Sequence, residues 1–243
     1  MSSAPPLSPM ATLRWSVVRR VLDELRPRRV LEIGCGQGGF GARIAGQAEY
    51  MGVEPDEQSH QVARDRIGPL GGRVLHGTSD LVTPDDKYDL VCAFEVIEHI
   101  EDDAGALVDW SSRVAPGGSI LVSVPAWPQR YGPMDKLVGH YRRYTPEQLD
   151  EVLHKTGAED VRHTLYGWPL GYALESVRNR IAQRRGSASE EPMQTRSAGS
   201  GRLLQPKAVA GLAVRAGVTP FAALQRLRPT AGTGLVGTAR MPR

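Results

Sequence analysis

The segment VLEIGCGQGG, from Val30 to Gly39, limits the fold more than any other part of the chain. An apolar run leads into the pattern Gly34-x-Gly36-x-Gly38, and Glu32 lies two positions before the first glycine. This pattern predicts a buried strand, then a turn too tight for side chains, then the start of a helix. Because the first N–H groups of a helix have no partner within it, such a turn suits a polar or anionic ligand.

A second acidic residue, Glu54, follows Gly34 by twenty residues at the end of another apolar stretch. At this spacing a carboxylate can accept hydrogen bonds from the two hydroxyls of a ribose. The glycines also fit the dinucleotide pattern Gly34-x-Gly36-x-x-Gly39, so their spacing alone leaves NAD open as a cofactor. Glu32, however, would repel a pyrophosphate and would attract a cofactor that carries an ammonium group.

Short apolar segments alternate with helical patterns along the chain, which is typical of a parallel sheet with helices on both faces. The predicted strands are Arg29–Ile33, Tyr50–Val53, Arg73–His76, Tyr88–Ala93, Ser119–Val124, Asp160–Tyr166 and Gly234–Ala239. Ligands bind to such sheets at the carboxyl ends of the strands. Gly34, Glu54, Asp80 and Glu95 all lie at or just after predicted strand ends, so we expect them at one edge of the sheet.

Three further segments accompany the glycine turn and Glu54 in a fixed order. They are HGTSDL, KYDLVCAFEVIEHIED and VAPGGSILVSVPA, which begin at His76, Lys87 and Val114. Together, these segments resemble the class I S-adenosylmethionine-dependent methyltransferases. The resemblance implies an α/β fold: a Rossmann-like, doubly wound, mostly parallel seven-stranded sheet with a helical insertion before an antiparallel last strand.

The resemblance also implies S-adenosylmethionine as cofactor and assigns residues to it. Glu32, Gly34, Gly36 and Gly38 would cradle the methionine end. The remaining assignments place the ribose diol on Glu54, the adenine edge on Asp80, and Phe94 and Glu95 beside the cofactor.

Composition shifts divide the chain into three parts. We expect a disordered tail at 1–9, a methyltransferase core at 10–170 plus 230–240, and a helical insertion at 171–229 that contains a flexible linker at 186–201. The insertion opens with a basic helix near 172–185, which can be a solvated face, an interfacial helix on anionic lipid or part of the substrate mouth.

The segment after the fourth predicted strand holds Glu95, Glu98 and His99 at positions i, i+3 and i+4, which would share one face of a helix. His99 can then act as a general base, or Glu98 and His99 can simply brace the helix. With His140, the same residues can ligate a divalent ion. This set resembles the metal site of small-RNA 3′-terminal 2′-O-methyltransferases and, in part, the ubiquinone-pathway O-methyltransferases, although no metal is required for the main interpretation.

The segment GHYRRYT, residues 139–145, interleaves aromatic and basic residues where this fold contacts its substrates. Tyr141, Arg142, Arg143 and Tyr144 are therefore candidate substrate residues, and the arginines can clamp a phosphate or a carboxylate. Alternatively, one arginine pairs with Asp135 or Glu147 and only fixes the loop.

The 243 residues carry a formal net charge of +3, which is below what nucleic-acid binding by charge alone would need. The two cysteines lie in different predicted elements, so we expect no disulfide between them, which fits a reducing compartment. The chain also has no run of eighteen apolar residues that could span a membrane, so we expect a cytoplasmic protein. We expect no specific nucleic-acid partner, while peripheral membrane contact stays open.

The sequence thus predicts a methyltransferase that acts on oxygen of a small-molecule, glycan, phosphorylated or lipid-linked acceptor, with His99 and His140 as catalytic residues. The alternatives are a metal-assisted RNA 2′-O-methyltransferase, a cofactor-binding partner subunit without catalysis and an NAD-dependent oxidoreductase.

Overall fold

The computed structural model describes residues 4–184 and 208–243. Its strands form one sheet in the order β3-β2-β1-β4-β5-β7-β6. These strands are β1 (Arg29–Ile33), β2 (Glu49–Glu54), β3 (Arg73–His76), β4 (Tyr88–Phe94), β5 (Val114–Pro125), β6 (Asp160–Gly167) and β7 (Gly232–Arg240). Pairing among β1 to β5 is parallel, and β7 is antiparallel to both β5 and β6. The predicted fold class and the antiparallel last strand are therefore confirmed.

Helices cover both faces of the sheet. They are α1 (Pro9–Leu25), α2 (Gly41–Ile44), α3 (Glu57–Ile67), α4 (Asp103–Ser111), α5 (Pro133–Val138), α6 (Pro146–His154), α7 (Leu170–Arg184) and α8 (Ala208–Leu224). Side chains of a strand alternate between the two faces, so Leu31 packs in the core with α4 and α6, and Val30 packs in the core with α1 and α3. Apolar burial on both faces fixes the register of the central strands, and with it the position of every strand end.

The chain before α1 differs from the expected disordered tail over the residues that the structure describes. Ser8 caps α1 by accepting a hydrogen bond from the Ala11 N–H, at 3.3 Å. Leu7 packs against the apolar core below α1, and the Pro5 carbonyl accepts a hydrogen bond from Arg43, at 2.7 Å. An apolar side chain and a backbone acceptor thus hold a segment whose composition alone indicated disorder.

The expected insertion before β7 contains α7 and α8. Helix α7 packs on α5, β6 and β7, and α8 packs on α1. The flexible linker predicted at 186–201 lies outside the described residues. None of the helices in the described ranges is long and apolar enough to cross a membrane.

Candidate functional site

A cavity of about 1020 Å³ lies at the carboxyl ends of β1, β2 and β4. Its walls run from the glycine turn after β1 to α5 and α7 on the opposite side. This volume lies at the upper end of the range for small-molecule sites, so it has room for a cofactor and an acceptor together. The edge of the sheet that the sequence predicted as the binding edge is therefore the edge that carries the cavity.

The glycine turn is held against the end of β2 by its own backbone. Gly34 has a φ of +67°, and its N–H donates to the Val53 carbonyl at 2.9 Å. A Cβ at this position would lie 2.8 Å from a methyl group of Val96, so only glycine fits here. Gly34 and Gly36 line the cavity, as expected for a cradle.

Gly38 is different, because it is absent from the cavity wall. A Cβ on Gly38 would lie 2.9 Å from Ile67 Cδ1 and 3.2 Å from Ala63 Cα. The third glycine of the motif therefore permits close packing of the turn against α3, and it does not line the cavity.

Glu54 ends β2 with its side chain on the cavity wall. One carboxylate oxygen accepts a hydrogen bond from the Gly36 N–H at 2.7 Å, and the other accepts one from the Asp56 N–H at 2.9 Å. Burial raises the pKa of Glu54, and these two N–H donors oppose the rise. Each oxygen keeps a free lone pair, so the carboxylate remains able to accept hydrogen bonds from a ribose diol.

Glu32 lies deeper in the same wall and is only 3% exposed. The Tyr50 hydroxyl donates to its carboxyl group at 2.7 Å. Burial raises the pKa of Glu32 to about 8; the Tyr50 hydrogen bond opposes this rise and the charge of Glu54 adds to it. In the free protein at neutral pH, Glu32 is therefore mostly protonated.

This protonation predicts a pH-dependent affinity for a ligand with an ammonium group. An ammonium group favours the ionised carboxylate, so binding releases the proton, and affinity rises with pH until about 8, where the site is already ionised. We expect S-adenosylhomocysteine to bind the wild type up to about tenfold more tightly per pH unit below that value, and Glu32→Gln to show a flat profile. Calorimetric titration at several pH values, in buffers of different ionisation enthalpy, measures both effects. Equal profiles for the two proteins would remove Glu32 from the ammonium site.

Asp80, predicted to contact the adenine, is exposed and does not line the cavity. Its carboxylate accepts a hydrogen bond from the Thr78 hydroxyl. Thr78 and its neighbours Gly77 and Ser79 line the cavity instead. The backbone of this segment lies at the expected place, while the Asp80 side chain points elsewhere.

Phe94 and Glu95, at the end of β4, both line the cavity as expected. Glu95 forms an ion pair with Arg14 of α1 at 3.2 Å, and the Tyr166 hydroxyl donates to Glu95 at 3.3 Å. Sequence patterns gave no indication of Arg14 or Tyr166, because both contacts join residues far apart in the chain.

The prediction that Glu95, Glu98 and His99 share one face of a helix is wrong. Glu95 has a φ of +58°, outside the helical region, and the following residues form only a 3₁₀ turn at Ile97–His99. The Glu95 side chain pairs with Arg14, whereas Glu98 and His99 belong to the separate 3₁₀ turn that follows.

Glu98 and His99 instead meet His140, from the segment after α5. One ligand atom from each of these side chains lies within 4.8 Å of the other two. The His99 and His140 rings pack edge to face with centroids 4.6 Å apart, and Glu98 Oε1 lies 3.9 Å from His140 Nε2. Glu98 is fully buried, and neither of its oxygens has a hydrogen-bond partner among the described residues.

In both imidazoles the Nδ1 nitrogen forms a hydrogen bond with a neighbouring residue. His140 Nδ1–H donates to Asp135 at 2.8 Å, and His99 Nδ1–H donates to the Gly139 carbonyl at 3.2 Å. Because a carbonyl and an ionised carboxylate only accept, both rings keep the Nε2 lone pair for another group. His140 and His99 therefore each present an Nε2 lone pair beside a buried carboxyl group.

The charges around this cluster differ from one residue to the next. Burial and, to a smaller extent, the charge of His140 lower the pKa of His99 to about 3, so His99 stays neutral. Burial and the charge of Glu95 raise the pKa of Glu98 well above its ordinary value. Burial alone would raise the pKa of Asp135, but hydrogen bonds from His140 and Arg143 lower it below its usual range. Asp135 therefore stays ionised, and its negative charge lies next to His140 Nδ1.

Arg143, a candidate substrate residue, lines the cavity but is already paired. Its guanidinium donates to both oxygens of Asp135, at 2.8 and 2.7 Å, and to Glu175 of α7. It therefore fixes the loop that carries His140, which is the alternative that the sequence left open.

Arg142 and Tyr144 are not brought to the cavity. Arg142 forms an ion pair with Asp103 at 2.8 Å, and the buried Tyr144 hydroxyl donates to the same carboxylate at 2.6 Å. Both side chains thus anchor the segment to α4. Tyr141 does line the cavity and is 37% exposed, so it alone of these four keeps a free surface there.

The residue pattern and the fold match known proteins. Residues 12–163 match a protein-family model described as a methyltransferase domain. A probable S-adenosylmethionine-dependent methyltransferase from Mycolicibacterium smegmatis is 34% identical over 150 residues, which cover 59% of this chain and 56% of the relative. A ubiquinone biosynthesis O-methyltransferase from Alkalilimnicola ehrlichii is 31% identical over 123 residues, covering 49% of this chain and 50% of the relative. The chain spans about half the length of these curated relatives.

A solved structure shows the same fold over nearly the whole chain. The S-adenosylmethionine-dependent methyltransferase from Archaeoglobus fulgidus superposes with a TM-score of 0.59 at 18% identity, and the match covers 95% of this chain and 93% of that one. At this identity the likeness concerns the fold alone.

Proposed function

Since this chain belongs to the family of methyltransferase domains, we propose that it transfers a methyl group from S-adenosylmethionine to an oxygen of a small-molecule acceptor. The cluster of Glu98, His99 and His140 carries the proposal. An oxygen nucleophile must lose its proton as it attacks, and a base near the cavity wall provides for that step. The similarity to ubiquinone biosynthesis O-methyltransferases supports the same acceptor atom.

The cofactor fits the residues that the structure places around the cavity. Glu32 is a buried carboxyl group where an ammonium group would lie, and Glu54 ends β2 at the ribose position. When bound, S-adenosylmethionine supplies an activated methyl carbon on a sulfonium. This assignment replaces the NAD alternative that the glycine spacing left open.

The protein's part in the reaction is to orient the acceptor and to remove its proton. His140 accepts the proton at Nε2, because its Nδ1–H is bonded to Asp135. The negative charge of Asp135 stabilises the imidazolium that forms, and Arg143 fixes Asp135 through two hydrogen bonds. Burial raises the pKa of Glu98 and keeps its carboxyl group protonated, so Glu98 adds no negative charge beside His140 Nε2.

The same three side chains also fit a divalent ion. Glu98 would supply an oxygen, His99 and His140 would each supply Nε2, and the Nδ1 bonds of both imidazoles would orient the ligands. A site with two imidazoles suits zinc or iron better than magnesium, and such an ion would lower the pKa of a bound hydroxyl.

The test of the proposed function is transfer of a labelled methyl group from S-adenosylmethionine to a panel of phenols, catechols, hydroxy acids and amines. We expect transfer to hydroxyl acceptors, and we expect dialysis against EDTA to leave the rate unchanged. Loss of the rate on chelation, with recovery on added Zn²⁺ or Fe²⁺, would instead make the cluster a metal site. Transfer to amines alone would contradict an oxygen acceptor.

The other two alternatives are tested by the same assay. Methylation of single-stranded RNA, lost on chelation, would favour the RNA 2′-O-methyltransferase. Tight binding of S-adenosylhomocysteine without transfer to any acceptor would favour a partner subunit that has lost catalysis. Contact of the basic helix α7 with anionic lipid remains a further prediction, measurable by vesicle sedimentation.

A further inference from the structure

Arg178 of α7 differs from the other arginines at the cavity. Its side chain lines the cavity and is mostly buried, and its Nε atom has no hydrogen-bond partner among the residues that the structure describes. The guanidinium forms no ion pair with any residue in the described ranges. A buried guanidinium keeps its charge, because its ordinary pKa lies far above neutrality. Leaving such a charge without a partner is costly, so a ligand that supplies one would bind favourably.

The acidic residues near Arg178 are already engaged by other arginines. Glu95 pairs with Arg14 at 3.2 Å, and Asp135 pairs with Arg143 at 2.7 Å. A third carboxylate, Glu175, lies one turn before Arg178 on the same helix, where it binds both Arg130 and Arg143. Among the described arginines that line this end of the cavity, Arg178 is therefore the one without a carboxylate partner.

An anion bound to Arg178 would lie at the end of the cavity near His140, where the acceptor is expected. Glu95, Arg14, Asp135 and Tyr166 have the largest electrostatic effects on Arg178, and Asp135 is the residue that accepts the His140 Nδ1 hydrogen bond. Helix α7, which carries Arg178, packs on α5, the helix that carries Asp135.

From this arrangement we propose that Arg178 binds an anionic group of the acceptor, a carboxylate or a phosphate, while the acceptor hydroxyl faces His140. The inference rests on the proposed function and adds the chemical class of its substrate. A guanidinium can donate two parallel hydrogen bonds to either oxyanion, which would fix the orientation of the acceptor as well as its affinity. The carboxylate of the cofactor is the other available source of the same chemistry.

Binding of model anions tests the inference without a known acceptor. The probes are benzoate and phenyl phosphate, with benzyl alcohol as the neutral counterpart, titrated into protein saturated with S-adenosylhomocysteine. We expect the wild type to bind the two anions and not the alcohol. Arg178→Gln should lose about tenfold or more in anion affinity, and Arg178→Lys should lie between, because lysine keeps the charge but not the two-pronged geometry. The matched control is Arg180→Gln, since Arg180 is exposed on the same helix.

The affinity for S-adenosylhomocysteine is measured first, because it distinguishes a failure of the proposed function from a failure of the inference about Arg178. If S-adenosylhomocysteine does not bind the wild type, the proposed function itself fails. If it binds but Arg178→Gln weakens it, Arg178 holds the cofactor carboxylate and the inference is overturned. Equal anion affinities in wild type and Arg178→Gln, with melting temperatures unchanged, would overturn it as well.

Discussion

Replacing His140 with asparagine is expected to lower kcat by about 100- to 10,000-fold, the range that a positioned general base contributes. The variant keeps a side chain that can bond to Asp135 but loses the basic Nε2 atom. Affinity for S-adenosylhomocysteine should stay unchanged, because the residues predicted to bind the cofactor lie on the other wall of the cavity. Steady-state kinetics with the acceptor found by the panel, together with calorimetric titration of the product, measure both quantities.

The control for this variant is His163→Asn. His163 also bonds to an aspartate, Asp150 at 2.9 Å, but it is exposed and does not line the cavity. We expect its replacement to leave kcat unchanged. A His140→Asn enzyme with wild-type kcat would show that the reaction proceeds by positioning alone and would remove the base from the mechanism.

A second variant, Asp135→Asn, tests independently whether Asp135 assists His140 in catalysis. The amide still reaches His140 but carries no charge to stabilise an imidazolium. We expect a lower kcat and a shifted acid limb of the pH–rate profile, whereas a purely structural role would lower only the melting temperature. Because Arg143 also depends on Asp135, the melting temperature must be measured beside the kinetics.

The fold could be predicted from the sequence because its signal is local and repeated. The strands β1 and β4 are buried on both faces, so they are near-continuous apolar runs that end at a turn. The start of β5 was missed: the structure begins it at Val114, five residues before the predicted Ser119. Gly117 has a φ of +73°, and its N–H donates to the Pro242 carbonyl, so the chain's C-terminus pairs with a segment that looks like a turn.

The candidate site could be predicted only where one segment determines it. Gly34 and Glu54 follow from the order of strand, turn and strand, and both line the cavity. The turn at Glu95 could not be predicted, because the i, i+3, i+4 spacing also occurs in a 3₁₀ turn after a residue with positive φ. Its direction is stabilised by Arg14, a partner 81 positions earlier in the chain.

The pairing of the arginines could not be predicted from the sequence either. Arg142 and Arg143 stand side by side in the sequence, yet one binds Asp103 and the other binds Asp135. Arg178 and Arg180 stand two positions apart on α7, and the helical period directs one to the cavity and the other to solvent. Whether a cation is free for a ligand depends on which carboxylates reach it, and only the folded chain determines that.

The second large effect is expected at Glu54. Replacing it with alanine removes its charge-assisted hydrogen bonds to the ribose diol, a total loss of about 1.5–3 kcal/mol, so affinity for S-adenosylhomocysteine should fall by roughly 10- to 100-fold. The variant also leaves the Gly36 and Asp56 N–H groups without their acceptor, so part of the loss can come from the turn itself. Glu54→Gln separates the two causes, because the amide oxygen can still accept from Gly36 while the charge is gone.

The matched control for Glu54 is Glu49→Gln, at the exposed start of the same strand. Calorimetric titration of all three variants, with circular dichroism to confirm the fold, gives the ordering that the geometry requires: Glu49→Gln like wild type, Glu54→Gln weaker, Glu54→Ala weakest. A wild-type isotherm for Glu54→Ala would contradict the ribose assignment. Since Glu54 joins β2 to the glycine turn through Gly36, that result would also mean that the cofactor does not lie along this wall.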